Sequence, residues 1–158
     1  EFLEYLPRRV DIVKGVNTED VDVIFILREM LEALAIRHSV AYMSEADIDA
    51  LRLVVTKTAC AQQEDRIADV INGLREFDAI VLKSSRMKRL CGFVNSLQES
   101  LLCFRKFNLS NPDRRVMAVR EHEKIFEAIL SRDADRAEGL LRRHVQAARD
   151  SLLKSLEK

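Results

Sequence analysis

Apolar side chains recur at three- and four-residue intervals along most of this chain, and that period admits little except helices. Ile24, Leu27, Leu31, Leu34 and Ala35 follow it, as do Ile48, Leu51, Val54 and Val55. Ile67, Val70, Ile71, Leu74, Val81 and Leu82 continue it, then Leu90, Phe93, Val94, Leu97, Leu101 and Phe104. Val116, Val119, Phe126 and Ile129, and finally Ala137, Leu141, Ala148 and Leu152, complete the series. Side chains so spaced share one helix face, and that face must be buried against another. Only four Gly and two Pro interrupt 158 residues, too few turn formers for a loop-rich β protein. The expected fold is all-α, an antiparallel bundle of about six helices joined by short connections.

Local signals set the boundaries. Residues 1–16 mix apolar and basic side chains around Pro7 and Gly15 and read as a lead-in; residues 17–158 form the helical domain. The first helix starts at Asn17-Thr18, with Glu19 and Asp20 at the positive end of its dipole, and runs to about Tyr42. Ser44 and Asp47 form a weak capping box for the second, which ends at about Ala61. The third spans about Glu64 to Ser84 and the fourth about Arg86 to Phe107. Asn108 to Asp113 is the clearest turn, and Pro112 suits the first turn of the fifth helix. Asp133 caps the sixth.

Composition narrows the function classes. Net charge is zero, so the chain has no overall attraction for nucleic acid or an anionic membrane. No apolar run approaches the roughly 18–20 residues of a membrane span, and no signal peptide is visible. Cys60, Cys91 and Cys103 form no CxxC pair and read as reduced thiols of a cytoplasmic protein. Arg86-Lys88-Arg89, Arg114-Arg115 and Arg142-Arg143 read as solvated faces. The opening EFLEYLPRR reads as the middle of a longer polypeptide.

Three polar residues interrupt the stripes. Asp78 lies between turns of the third, His122 falls in the row of the fifth, and His144 in the row of the sixth. All three should point inward, where a carboxylate is costly unless it is paired or bound to a cation. Two imidazoles and a carboxylate make a ligand set for Zn, Ni, Mn or Fe(II), with coordination positions left open for water or a ligand carboxylate. The alternative is two hydrogen-bonded core histidines and an Asp78 paired with an arginine. Arg28 shares the face of Ile24, Leu31 and Ala35, with Glu32 one turn on as an ion-pair partner. It is either structural or a planar fork that grips an anion in a cavity, which Arg105 also reaches. His38, beside Arg37 near a helix end, reads as solvated.

Together these stretches resemble the C-terminal FCD domain of GntR-type transcriptional regulators, in the FadR-like branch. EDVDVIFILREMLEALAIRHSV is similar to the family's opening helix, its Arg-x-x-Leu-Glu signature standing here as Arg28 to Glu32. REFDAIVLKSSRMKRL is similar to a helix that usually carries Phe-His, and EHEKIFEAILSRDADRAEGLLRRHV to the Glu-His … His pattern. The resemblance implies a helical effector-binding and dimerisation domain. An Asp and three His hold a divalent metal in many members, and a small organic acid bound there changes how an attached winged-helix domain grips operator DNA. His122 and His144 match two of those histidines. Asp78 stands where the first His is usual, Leu74 where the Asp is usual, and Arg86 where an Asn is usual.

The implied site is Asp78, His122 and His144 around a divalent metal, Zn or Ni, with Arg28, Arg105 and Arg86 toward a small carboxylate effector. A metal-free cavity using His and Arg alone is the variant. The implied partners are a second copy, meeting through the first and fourth helices, and operator DNA through the preceding domain only, with no membrane. A passive dimerisation module without ligand is the alternative. A metal-dependent oxygenase is a further one, against which stands the lack of a spare acid or base beside the three ligands.

Overall fold

The computed structural model describes residues 18–156. The expected lead-in at residues 1–16 lies outside them, as does Asn17. Among the described residues there are seven helices and no strand: α1 Thr18–Tyr42, α2 Glu45–Gln63, α3 Ile67–Ser84, α4 Lys88–Ser100, α5 Leu102–Ser110, α6 Pro112–Leu130 and α7 Ala134–Leu156. The all-α bundle stands. α1 lies along α7 and also meets α3 and α4, while α6 lies against α7, α2, α3 and α5.

The caps form where local chemistry predicts them. Ser44 and Asp47 make the capping box of α2, each satisfying a backbone N–H of the other. Asn111 accepts from Asp113 and Arg114 N–H groups, and Pro112 opens α6. The Asp133 carboxylate accepts from Arg136 N–H at the start of α7 at 2.9 Å. Arg132, at φ 55°, aims its guanidinium at the carbonyls of Val40 (3.0 Å) and Met43 (2.9 Å), satisfying orphan acceptors at the end of α1.

Two expectations are corrected. The single fourth helix is broken at Leu101, whose φ −99° and ψ 7° leave the helical range. The break has a packing cause. Leu90 and Val94 serve a cluster with Ala35 and Leu82. Leu101 and Phe104 serve another with Val21, Phe25, Val145 and Leu152. One straight helix would not fill both. The second correction concerns the turn: Asn108, Leu109 and Ser110 are the last turn of α5, and only Asn111 is non-helical. Asn108 is buried because its side chain donates to Ala148 carbonyl (2.9 Å) and accepts from Ser151 (2.7 Å), which ties α5 to α7.

The main core gathers Ile36, Val40, Leu51, Phe77, Ile125, Ile129 and Leu141 from five helices. A further cluster under α2 and α3 joins Ala61, Val70 and Leu74 to Ala118 and Val119. Ile67, placed on the inner stripe by its spacing, is exposed at the first turn of α3. α2 and α3 touch at Gly73, where an added Cβ would collide with the Thr58 hydroxyl and come within 3.1 Å of its Cβ. Gly73→Ala should therefore lower stability by about 1–3 kcal/mol, as overpacking does. Thr58→Ala in the same chain should restore most of it, read as urea unfolding midpoints. An additive double variant would show that the two residues do not meet.

Candidate functional site

Five helices deliver polar side chains to one region of the apolar interior: Arg28 and Glu32 from α1, Asp78 from α3, Arg105 from α5, Arg114, Glu121 and His122 from α6, and His144 from α7. Gln98 joins from α4. Each lies one or two turns from its neighbour on the inner row of its helix, so the amphipathic pattern that buries the stripes also buries these groups.

The geometry is a chain of contacts. His122 Nε2 lies 3.4 Å from His144 Nε2 and 3.5 Å from Asp78 Oδ1. The other Asp78 oxygen accepts from Arg105 at 2.9 Å. His144 Nδ1 meets Glu121 Oε2 at 2.6 Å, and Glu121 is held by a two-pronged contact from Arg114 at 2.9 and 3.0 Å. Nearby, Arg28 donates Nε to Glu32 at 2.8 Å, and Gln98 donates to the same oxygen at 3.1 Å. Phe77 covers His122, with ring centroids 4.5 Å apart, and Phe25 lies under the Arg28 guanidinium at 5.1 Å. Two buried nitrogens, Arg114 Nε and His122 Nδ1, make no hydrogen bond among the described residues.

Burial sets the charge states. It drives the His122 imidazole down to about 3, with His144 and Arg105 pushing the same way and Asp78 only partly opposing. His122 is a neutral imidazole. Burial alone would push the Asp78 carboxyl up, but Arg105 and the two histidines more than reverse that, so it sits below the usual carboxylate range. Glu121 behaves alike: burial raises it, and hydrogen bonds from His144 and Arg114 bring it below the usual value. Burial pulls the Arg28 guanidinium down, and Glu32 more than restores it.

With Nδ1–H donated to Glu121, a neutral His144 would present its Nε2 lone pair toward His122, the tautomer that a carboxylate imposes on a metal-binding histidine. A tetrahedral ion with bonds of about 2.0–2.1 Å separates its donor atoms by about 3.4 Å. The His122–His144 and His122–Asp78 spacings match that. Among the described residues, however, no group of three or more His, Cys, Asp or Glu side chains is placed so that it could hold a metal ion. A single His122 Nε2 proton shared toward His144 and Asp78 accounts for the same spacings.

The structure thus brings together Asp78, His122, His144, Arg28, Glu32 and Arg105. It does not bring in Arg86. That residue, at φ 60° just beyond α3, is exposed, with its guanidinium over the Tyr42 ring at 5.4 Å and donating to Tyr42 carbonyl at 3.3 Å. Arg114 and Arg115, read as solvated from the sequence, are both buried. Arg115 is clamped by Gln62 (3.2 Å), Asp65 (2.9 Å) and the Leu109 carbonyl (3.2 Å). Arg114, Glu121, Gln98 and Asn108 are the members of the site and its cavity wall that sequence reasoning missed; of these, Arg114 and Glu121 left a signal. Their seven-residue spacing, two turns of one helix ending beside His122, was the available signal.

A cavity opens beside this network. Arg28, Arg105, Arg114, His144, Gln98 and Asn108 form its polar wall, and its remaining lining is apolar.

A neutral His122 fixes a pH dependence. An unfolded imidazole titrates near 6.5, so between that value and about 3 the unfolded chain holds a proton that the folded one does not. Stability therefore falls as pH drops below about 6.5, by roughly 1 kcal/mol per pH unit. The depressed Asp78 and Glu121 carboxyls add their losses only below about pH 4. Urea midpoints between pH 7.5 and 5 should show this slope, and His122→Asn should flatten it.

The comparisons with known proteins agree with the fold. The family model described as "FCD domain" matches residues 23–147. Among solved structures, E. coli McbR/YncC superposes with a TM-score of 0.80 at 20% identity, over 89% of this chain and 67% of that one. A structure titled "Lar controls the expression of the Listeria monocytogenes agr system and mediates virulence" superposes with a TM-score of 0.73 at 9% identity, over 88% of this chain and 66% of that one. The chain thus spans about two thirds of the length of these two structures. No curated protein matches it. With an all-helical bundle among its described residues and a family match over most of its length, this chain belongs to the FCD domain family.

Proposed function

We propose that this chain is the ligand-sensing and dimerisation part of a bacterial GntR-type transcriptional regulator. A small carboxylate enters the cavity, is held by Arg28 and Arg105 with the histidines beside them, and changes how an attached winged-helix domain grips operator DNA in the cytoplasm. The observation that carries this reading is the convergence of Arg28, Arg105 and Arg114 on one cavity wall. Planar guanidinium forks with spare donors are carboxylate receptors, and they are strongest where water is scarce. The ligand must favour one arrangement of the dimer over another, because equal affinity for both would shift nothing. The ionisable groups around the cavity are paired with one another, which suits binding better than proton transfer, so the reading is a sensor rather than an enzyme.

A divalent metal, Zn or Ni, belongs to this proposal, with His122, His144 and Asp78 as its ligands. Their donor spacing and the Glu121 carboxylate behind His144 support it. When bound, it would supply a Lewis-acidic point for a ligand carboxylate. Elemental analysis of the purified chain should find about one ion per chain, removed by chelator and lost in His144→Ala. Absence of metal in both the native and the zinc-soaked chain would leave the metal-free cavity, with Arg and His alone, as the sensing site.

The dimer belongs to it too. Val23, Leu27, Met30 and Leu34 lie exposed on α1 at alternating four- and three-residue spacing, which is the spacing of a helix–helix seam. Phe93 of α4, the helix beside it, is 67% exposed. A contiguous apolar strip of this kind marks an association surface. Replacing Met30 and Phe93 together by Glu should convert the dimer to monomer in sedimentation experiments while leaving helicity intact. A variant that sediments like the parent would place the contact elsewhere.

A further inference from the structure

We infer that the effector is a carboxylate with an apolar body, an aliphatic or aromatic monoacid, rather than a hydroxylated sugar acid. The inference rests on the sensing reading above and concerns what the cavity wall can and cannot satisfy.

The wall is rich in donors and poor in acceptors. Arg28 uses Nε on Glu32, and Arg105 uses one terminal nitrogen on Asp78. No other nitrogen of either guanidinium makes a hydrogen bond among the described residues. Arg114 uses both terminal nitrogens on Glu121 and leaves its buried Nε without a partner. The open donors here are cationic N–H groups, which suit the oxygens of one carboxylate; against them the wall sets one open amide acceptor, the Gln98 oxygen, without a partner among the described residues.

The neutral polar groups are largely engaged. Asn108 donates to Ala148 and accepts from Ser151, and the Gln98 amide nitrogen donates to Glu32. The carboxylates that neutralise the arginines, Glu32, Asp78 and Glu121, stand behind them and do not line the cavity. What remains is a floor of Phe25, Leu74, Leu101, Phe104, Leu109 and Leu152. Leu74 and its neighbours offer no acceptor to a ligand hydroxyl. A hydroxyl placed against them loses its water and gains no partner, which weakens binding by roughly tenfold or more for each one buried. A methylene in the same place gains instead.

Hexanoate and gluconate share a six-carbon monoacid skeleton and differ in their hydroxyls, so they form the test pair. Calorimetry on the intact chain, once after chelator treatment and once loaded with zinc, should show hexanoate at least tenfold tighter than gluconate in both conditions. Methyl hexanoate, which lacks the charge, should bind at least tenfold more weakly than hexanoate. Ala148→Met, which fills the cavity from α7 and disturbs no ion pair, should weaken hexanoate at least tenfold without lowering the unfolding temperature. Gluconate binding as tightly as hexanoate, or more tightly, would overturn this inference and leave the organic-acid sensor standing. Binding of neither acid in either condition would overturn both. Unchanged hexanoate binding by the well-folded Ala148→Met chain would place the ligand outside this cavity and overturn the inference as well.

Discussion

Charge neutralisation inside an apolar bundle is the constraint on which the rest of this structure hangs. Arg28 with Glu32, Arg105 with Asp78, and Arg114 with Glu121 form three ion pairs in the same interior. A lone charge there would be costly; a pair with good hydrogen bonds is tolerable. Removing one member of a pair leaves the other uncompensated, so these six residues hold their places as couples. The two histidines sit between the second and third couples, and the uncharged state of His122 follows from its burial there. His122 is surrounded by Phe77, His144 and an Asp78 already paired with Arg105, so the cost of burying a further proton outweighs the attraction of Asp78.

The helices arrange this interior by dividing labour. α1 contributes an ion pair to the inside, and α6 contributes Arg114 and Glu121 two turns apart, with His122 next to Glu121. The break at Leu101 lets α4 offer Gln98 to Glu32 while α5 turns Arg105 toward Asp78. Outside the network, Arg115 and Arg132 spend their guanidiniums on helix-end carbonyls and on Asp65 or Glu45, stitching segments that lie far apart in the chain. Arginine thus has two separate uses here. One lines a cavity, and the other replaces the missing partners of helix ends.

Much of this was legible in the sequence because it is local. The three-four spacing gives the helices, Ser44 with Asp47 gives the start of α2, and Pro112 gives the start of α6. Asp78, His122 and His144 stand out because a polar residue inside a stripe must be explained. The features that escaped are set by distant contacts. Nothing at Leu101 resembles a breaker; the helix parts there because its two halves answer to opposite ends of α1. Arg114-Arg115 next to a turn looks like an exposed basic pair, and the partners that bury Arg115 are Gln62 and Asp65, on the far side of α3 in the chain. Arg86 fails in the opposite sense. Its alignment suggested a ligand role, but the left-handed backbone at the end of α3 turns it onto Tyr42.

α1 has a double face. Arg28 is buried against the ion-pair network, while Leu27 and Met30, its near neighbours in sequence, emerge on the opposite side of the same rod. A helix of this length is stiff, and its inner and outer surfaces cannot roll independently. Any torque applied at the guanidinium is delivered, without intermediate parts, to the flank where a second molecule would rest.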